Sequence, residues 1–206
     1  MPRLPFALLA AAAALLQACT GGYMMDSEVQ AVSRLQGLAG PATYSFERLP
    51  SQGSSMATVE AAAEPALQRA GLRRDDAAPR YRVQASALAE PGVSPWADTF
   101  NPALGGLGSF GAASLDRDYN WVYSQVHLVL RDASTGQVVY ESRARSDGPR
   151  LDPRSTFEGL FAAALQGFPN PPAGPRTVAV QLGTGGAQAR GPAVPAGSLW
   201  PSTPVN

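Results

Sequence analysis

The chain has 206 residues with 16 basic and 16 acidic side chains, every base an arginine, so its formal charge is zero. Neutrality argues against a polyanion such as nucleic acid as partner, and arginine without lysine fits GC-rich coding more simply than selection for nucleic acid. Glycine and proline, 21 and 19 residues, concentrate in two stretches, which leaves a single modest folded domain.

The N-terminus carries one positive charge, Arg3, then the apolar run Leu4 to Leu16 with alanines at 10–14, and ends on Leu16-Gln17-Ala18-Cys19. An apolar stretch of about 13 residues is short of the ~20 that a spanning helix needs, and a small residue before the cut is the pattern of a signal peptide. Cys19 is the single cysteine of the chain, and the segment resembles the lipobox of bacterial lipoproteins, in which that cysteine is diacylated and becomes the new N-terminus. Two or three acyl chains anchor stably because each buried methylene contributes about 0.8 kcal/mol. The alternative is an ordinary signal peptide cut near Ala18 that leaves Cys19 as a thiol. Thr20, in place of an aspartate after the cysteine, points by the same resemblance to the outer membrane and a periplasm-facing domain.

Next come two strands, Glu28 to Leu35 and Ala42 to Leu49, the second alternating Tyr44 and Phe46 inward against Thr43, Ser45 and Glu47. Met56 to Ala70 has helical spacing of Val59, Ala63, Leu67 and Ala70, with Gly71 as its stop. Pro65 inside that pattern is expected to kink it or mark a restart, because it removes a backbone donor. Arg80 to Leu88 is a strand with Tyr81, Val83, Ala85 and Ala87 on one face. Glu90 to Arg117 has no hydrophobic period and reads as a long loop bearing Trp96, Phe100 and Phe110.

Asp118 to Arg131 and Gln137 to Arg145 form a hairpin closed by Asp132 to Gly136. Setting Leu130 opposite Val138 puts Val122, Val126, Leu128 and Leu130 on the side of Val138, Tyr140 and Ala144. A second helix is signalled by Asp152 as N-cap and Pro153 at the first position, followed by Phe157, Leu160, Phe161, Ala164, Leu165 and Phe168. Arg176 to Leu182 supplies a last strand, and the Gly/Pro/Ala-rich remainder with Trp200 reads as disorder.

The expected organisation is a signal peptide over 1–18, a lipidated tether over 19–25, an α+β domain over 26–182 with the flexible insertion 90–117, and a disordered tail over 183–206. The order of elements gives a largely antiparallel sheet with two helices packed on one face.

Thr43-Tyr44-Ser45-Phe46, the helix end Leu67-Gln68-Arg69-Ala70-Gly71-Leu72, the strand Tyr81-Arg82-Val83, the hairpin from Leu128-Val129-Leu130-Arg131-Asp132 to Val139-Tyr140-Glu141-Ser142-Arg143-Ala144 and the closing Phe168-Pro169 together carry a family resemblance. Over roughly residues 26 to 181 the sequence is similar to the bacterial lipoproteins that carry domain of unknown function 4136. The resemblance implies an envelope lipoprotein of undefined activity and supplies no mechanism.

Chemistry is sparsely provided for. One histidine and no thiol after lipidation exclude Cys–His nucleophiles and His- or Cys-based metal clusters, and no cofactor is expected. His127 is placed across from Glu141 on the outer face, a pair that stabilises a hairpin without catalysis. Asp116, Asp118, Glu141 and Asp147 are scattered carboxylates of the kind any soluble domain shows, and Gly105 to Gly111 lacks the lysine and the strand-to-helix setting of a phosphate loop.

The same register collects Arg82, Gln84, Trp121, Tyr123, Gln125, His127, Arg143 and Arg145 on the outer face, with Tyr123 opposite Arg145. Arginine over aromatic rings recognises lipid headgroups, glycans or carboxylates; the alternatives are a solvated face, or one covered by the central loop. The expected function is a non-enzymatic binding module held at the membrane by its lipid anchor, with an envelope protein, lipid or glycan as partner and Trp121, Tyr123, Arg143, Arg145 and Arg82 as the binding face. A lipid or glycan carrier would need a cavity left open by Ala63, Ala66, Ala163 and Ala164, and a hydrolase would need His127.

Overall fold

Alternation of small or apolar residues with polar ones builds most of the sheet. In the computed structural model, which describes residues 22–38, 42–48, 55–92, 120–183 and 186–195, β1 (Tyr23–Ser33) turns Met25, Ser27, Val29 and Ala31 inward and leaves Asp26, Glu28, Gln30 and Val32 exposed. Cys19 with the leader, Trp96, Phe100 and Phe110, the glycine cluster from Gly105, Asp116 and Asp118, and Trp200 all lie outside the described residues.

After β1 come β2 (Thr43–Phe46), α1 (Ser55–Arg69), β3 (Arg73–Arg74), β4 (Tyr81–Pro91), β5 (Trp121–Asp132), β6 (Val138–Pro149), α2 (Pro153–Ala164), β7 (Arg176–Leu182) and β8 (Gln188–Pro195). They form one eight-stranded sheet in the order β3-β2-β4-β5-β6-β1-β7-β8. All neighbours are antiparallel except β2, which runs parallel to β3 and β4. Both helices lie over one face, α2 across β5, β6, β1 and β7, and α1 beside it over β4. The expected α+β single domain is the architecture found.

Among the boundaries that differ from the sequence reading, three extend strands into segments read as tether, tail or loop. The expected tether is already strand from Tyr23, because Tyr23 to Val29 pair with Leu182 to Arg176 of β7. The expected disordered tail contains β8, whose Gln188 to Pro195 backbone pairs with β7 at the sheet edge. Glu90 and Pro91, read as loop, extend β4 opposite Tyr123 and Val122.

The β5–β6 register also moves, by two residues. Leu130 faces Tyr140 and Arg131 faces Val138, with a bulge between Leu130 and Arg131. The turn accounts for the shift: the Asp132 carboxylate accepts the N–H groups of Ser134 and Thr135 at 2.9 and 3.0 Å, and Gly136 closes it at φ +70°, leaving one extra residue to be taken up as a bulge. Because side chains alternate with period two, a slip of two keeps every residue on its expected face.

Both helices end as their local residues dictate. The Asp152 carboxylate accepts from the Ser155 N–H at 2.9 Å, with Pro153 in the first turn, which satisfies one of the donors orphaned at a helix start. At the end of α1, Leu72 N–H reaches the Leu67 carbonyl and Gly71 N–H reaches that of Gln68, both at 3.0 Å, the pairing of a Schellman motif. Pro65 sits within a continuous α1. Proline removes the donor for the carbonyl four residues back, and that residue, Ala61, is on the exposed side, where water can take its place.

Tyr44, Tyr81, Tyr140, Phe161, Leu67, Leu128 and Leu160 are fully buried between helices and sheet, each contributing on the order of 1.5–3 kcal/mol. Ala63, Ala66, Ala163 and Ala164 belong to this packed core; their small side chains let the layers close together. Gly159 does the same for α2: a Cβ there would stand 2.6 Å from Leu182 Cδ2 and 2.8 Å from Met25 Cε.

Candidate functional site

With both helices on one side, the other face of the sheet is left to its polar side chains. Its rows run across the strands: Leu88, Gln125, Arg145 and Glu28 in one, Ser86, His127, Arg143 and Gln30 in the next, then Gln84, Val129, Glu141 and Val32, and beyond them Arg82 and Arg131. Arg82, Arg143 and Arg145 thus share the face on which the sequence places them.

The two-residue shift redraws the contacts among these groups. Arg145 stands opposite Gln125 and Glu28 rather than Tyr123, and its Nε donates to Glu28 Oε2 at 2.8 Å. That hydrogen bond and the adjacent negative charge hold the Arg145 guanidinium above its ordinary pKa. Tyr123 faces Asp147 and donates its hydroxyl to Gln125 Oε1 at 2.8 Å. The cation–π contacts among the described residues lie elsewhere, Arg74 over Phe46 and Arg80 over Tyr81, each at 5.4 Å.

Trp121 and Tyr123, expected to be exposed together, are half-buried. Trp121 packs at the sheet end facing Pro149, so close to Gly92 that a Cβ there would lie 3.1 Å from its Cδ1, and its enclosed Nε1 has no acceptor. It closes the end of the sheet rather than offering a free ring.

His127 stands directly opposite Arg143 and reaches Glu141 diagonally, Nε2 to Oε1 at 2.9 Å. Glu141 is also 3.6 Å from Arg143 Nη2. Ser86 is directly opposite His127 on β4, but no hydrogen bond joins them, and the neighbouring backbone N–H groups are committed to the sheet ladder. A nucleophile here would lack both an activated proton path and the donors that stabilise an oxyanion.

Three shallow depressions adjoin along this face. One of about 410 Å³ is lined by Asp26, Glu28, Tyr123, Arg145 and Asp147; the next, about 250 Å³, by Glu28, Gln30, Gln125, Arg143 and Arg145; the third, about 220 Å³, by Gln30, Val32, Glu141 and Arg143. Arg143 and Arg145 link them, and such a surface can receive hydrogen-bond acceptors and carboxylates along its length. On the opposite side, an apolar cleft beside Met25, Val122, Leu151 and Phe157 holds only about 70 Å³. Among the described residues no group of three or more His, Cys, Asp or Glu converges on a metal position, and no helix is long and apolar enough to cross a membrane.

Sequence reasoning passed over Arg131 of β5 and, on β1, Glu28 and Gln30. The signal was available in the alternation itself, since Arg131 shares the parity of His127 and Val129.

No family model matches the chain, and no curated protein matches it. Among solved structures, the chain is similar to a PDZ domain protein from Parabacteroides distasonis, 13% identical with a TM-score of 0.48 over 84% of this chain and 42% of that one. It is also similar to the PelC dodecamer from Paraburkholderia phytofirmans, 17% identical with a TM-score of 0.44 over 71% of this chain and 99% of that one. A variant of the same dodecamer is 19% identical with a TM-score of 0.42, over 68% and 94% of the two chains. The chain spans less than half the length of the first of these proteins.

Proposed function

We propose that this chain is a lipid-anchored protein of the bacterial envelope, facing the periplasm from the outer membrane, whose domain binds an envelope partner through the polar face of its sheet and performs no catalysis. The observation that carries the binding reading is the row of Gln125, Arg145 and Glu28 with Arg143 in the next row, left open by the described residues and flanked by adjoining depressions. The anchor is supported by the lipobox at Cys19 and by the resemblance to lipoproteins with domain of unknown function 4136. Since β1 starts at Tyr23, an acylated Cys19 would hold the Tyr23 end of the sheet within about 15 Å of the membrane surface.

A lipid or glycan carrier has less support, because Ala63, Ala163 and Ala164 are packed in the core and only Ala66 reaches an open cleft, of about 430 Å³, which it lines with Arg69, Leu165 and Phe168. A hydrolase built on His127 lacks a bonded nucleophile.

The test is intact mass of protein purified from membranes of a diderm host, followed by in vivo crosslinking of the parent and Arg145→Ala. A triacylated N-terminal Cys19, and a crosslinked partner lost in Arg145→Ala while the domain keeps its melting temperature, are the expected results. An unmodified soluble chain cut near Ala18 removes the anchor; crosslinking indifferent to Arg145 removes the face.

A further inference from the structure

Two of the four arginines of the polar face are matched by carboxylates, Arg145 by Glu28 and Arg143 by Glu141. The other two are not. Arg82 of β4 and Arg131 of β5 are direct partners in the antiparallel ladder, so their side chains leave the sheet side by side, with Cβ atoms about 5 Å apart. Like charges placed directly opposite one another destabilise a sheet, and neither guanidinium has an ion-pair or hydrogen-bond partner among the described residues.

Of the acids near this end of the sheet three are committed elsewhere, and Glu47, diagonal to Arg82, forms no ion pair with either arginine. Asp132 accepts from Ser134 and Thr135 within its own turn; Asp75 accepts from the N–H groups of Ala77 and Ala78; Asp76 pairs with Arg74 at 3.2 Å. The ladder neighbours of the pair are neutral, Ser45 beside Arg82 and Val138 beside Arg131. Two adjacent positive charges, neither in an ion pair among the described residues, are therefore held on neighbouring central strands.

We propose that Arg82 and Arg131 form a binding site for one doubly charged oxyanion, a phosphate monoester, presented by the partner of this face. The inference rests on the reading of the face as a binding surface and names the chemistry of its ligand. A dianion neutralises both guanidiniums at once, whereas a carboxylate leaves one charge uncompensated, and guanidinium forks bond phosphate oxygens in bidentate fashion. A single local site of this kind is compatible with zero net charge, which disfavours an extended polyanion.

Position narrows the source. From the row of Tyr123 to the row of Arg131 is eight residues along β5, about 26 Å, and Tyr23 lies at the Tyr123 end. A chain anchored at Cys19 with its strands upright on the membrane carries the arginine pair about three screening lengths away from it. The phosphate is therefore one borne by a soluble or protein partner rather than by the anchoring leaflet.

The experiment uses the full chain with Cys19→Ser to keep it in solution, titrated with inorganic phosphate by calorimetry at constant ionic strength, with acetate as the singly charged control. Saturable binding at one site is expected, weakened at least tenfold in Arg82→Gln and in Arg131→Gln and unchanged in Arg154→Gln, whose arginine lies on α2 and pairs with Glu158. Without phosphate, either glutamine variant melts about 1–3 °C higher than the parent, because a like-charge repulsion has been removed. A purely structural pair would instead lower the melting temperature when broken, and that result overturns the proposal. So does phosphate binding that survives in either variant, or equal binding of acetate. Co-sedimentation with phosphatidylcholine vesicles containing phosphatidic acid, if it required both arginines, would support the site and move its ligand to a lipid headgroup; no co-sedimentation keeps it with a soluble phosphate. Equal weakening in Arg154→Gln would show a general effect of charge and overturn the assignment to Arg82 and Arg131, while leaving partner binding by the face intact.

Discussion

The buried hydroxyl of Tyr140 donates to the carbonyl of Ala164 at 2.7 Å, tying the centre of β6 to the last turn of α2. Ser142, two residues on and on the same face, donates to that same carbonyl at 2.8 Å. The last carbonyls of a helix have no partner within it, and here the sheet supplies both donors to one of them.

Tyr140→Phe is therefore expected to cost about 1 kcal/mol, the net worth of one buried hydrogen bond, since Ser142 still satisfies the acceptor. Ser142→Ala alone should cost a similar amount. The double variant should lose more than the sum, because the Ala164 carbonyl is then buried with no side-chain donor. Urea unfolding of the four proteins measures the coupling, and simple additivity would show that the two bonds act independently.

Burial pushes the Tyr140 and Tyr44 hydroxyls up to about 12, against about 10 in an unfolded chain. The folded state thus favours the protonated form, so this contribution is complete below pH ~10 and is lost as pH rises through about 12. Tyrosinate absorbance and circular dichroism followed together should show the last tyrosines ionising as the fold is lost. Ionisation of all six tyrosines near pH 10 in a still-folded protein would contradict it.

Asp152 and Asp132 carry the opposite sign. Hydrogen bonds from the Ser155 backbone and hydroxyl hold Asp152 below the usual carboxylate range, and those from Ser134 and Thr135 do the same for Asp132. Their contribution is present above pH ~4 and is lost as pH falls through the depressed values. Asp152→Ala should cost about 1 kcal/mol at neutral pH through loss of the helix cap, and the deficit relative to the parent should shrink in acid. A deficit independent of pH would mean that the ionised carboxylate is not the capping group.

Arg176 is buried beneath the end of α2, where Nη2 donates to the Gln166 carbonyl at 2.9 Å while Nε and Nη1 have no acceptor. Burial accordingly lowers its pKa. A buried charge without a counter-ion costs more than one hydrogen bond returns, so Arg176→Met should leave stability unchanged or raise it by about 1 kcal/mol in urea unfolding. A loss of 2 kcal/mol or more would assign the guanidinium a structural bond of greater worth.

Much of the scaffold was legible because its determinants are local. Asp152-Pro153 caps α2 where expected, and Arg176–Leu182 is a strand over the expected residues. The face carrying Arg82, His127, Arg143 and Arg145 survived an incorrect register because parity, not partner, decides on which side a strand residue lies. Two elements were not legible. β3 has only Arg73 and Arg74, too short to show a period, and β8 carries Gly191, Pro192 and Pro195, a composition that reads as loop.

By itself the sequence determined which residues alternate, where the second helix begins, and which side chains share a face, since these follow from the chemistry of neighbours within a few positions. Only the tertiary structure decided who meets whom. The bulge after Leu130 set Tyr123 opposite Asp147 in place of Arg145, β1 brought Glu28 to that arginine from 117 residues away, and β4 set Arg82 against Arg131. Those partnerships depend on turn geometry and strand order, which long-range packing selects and local alternation leaves open.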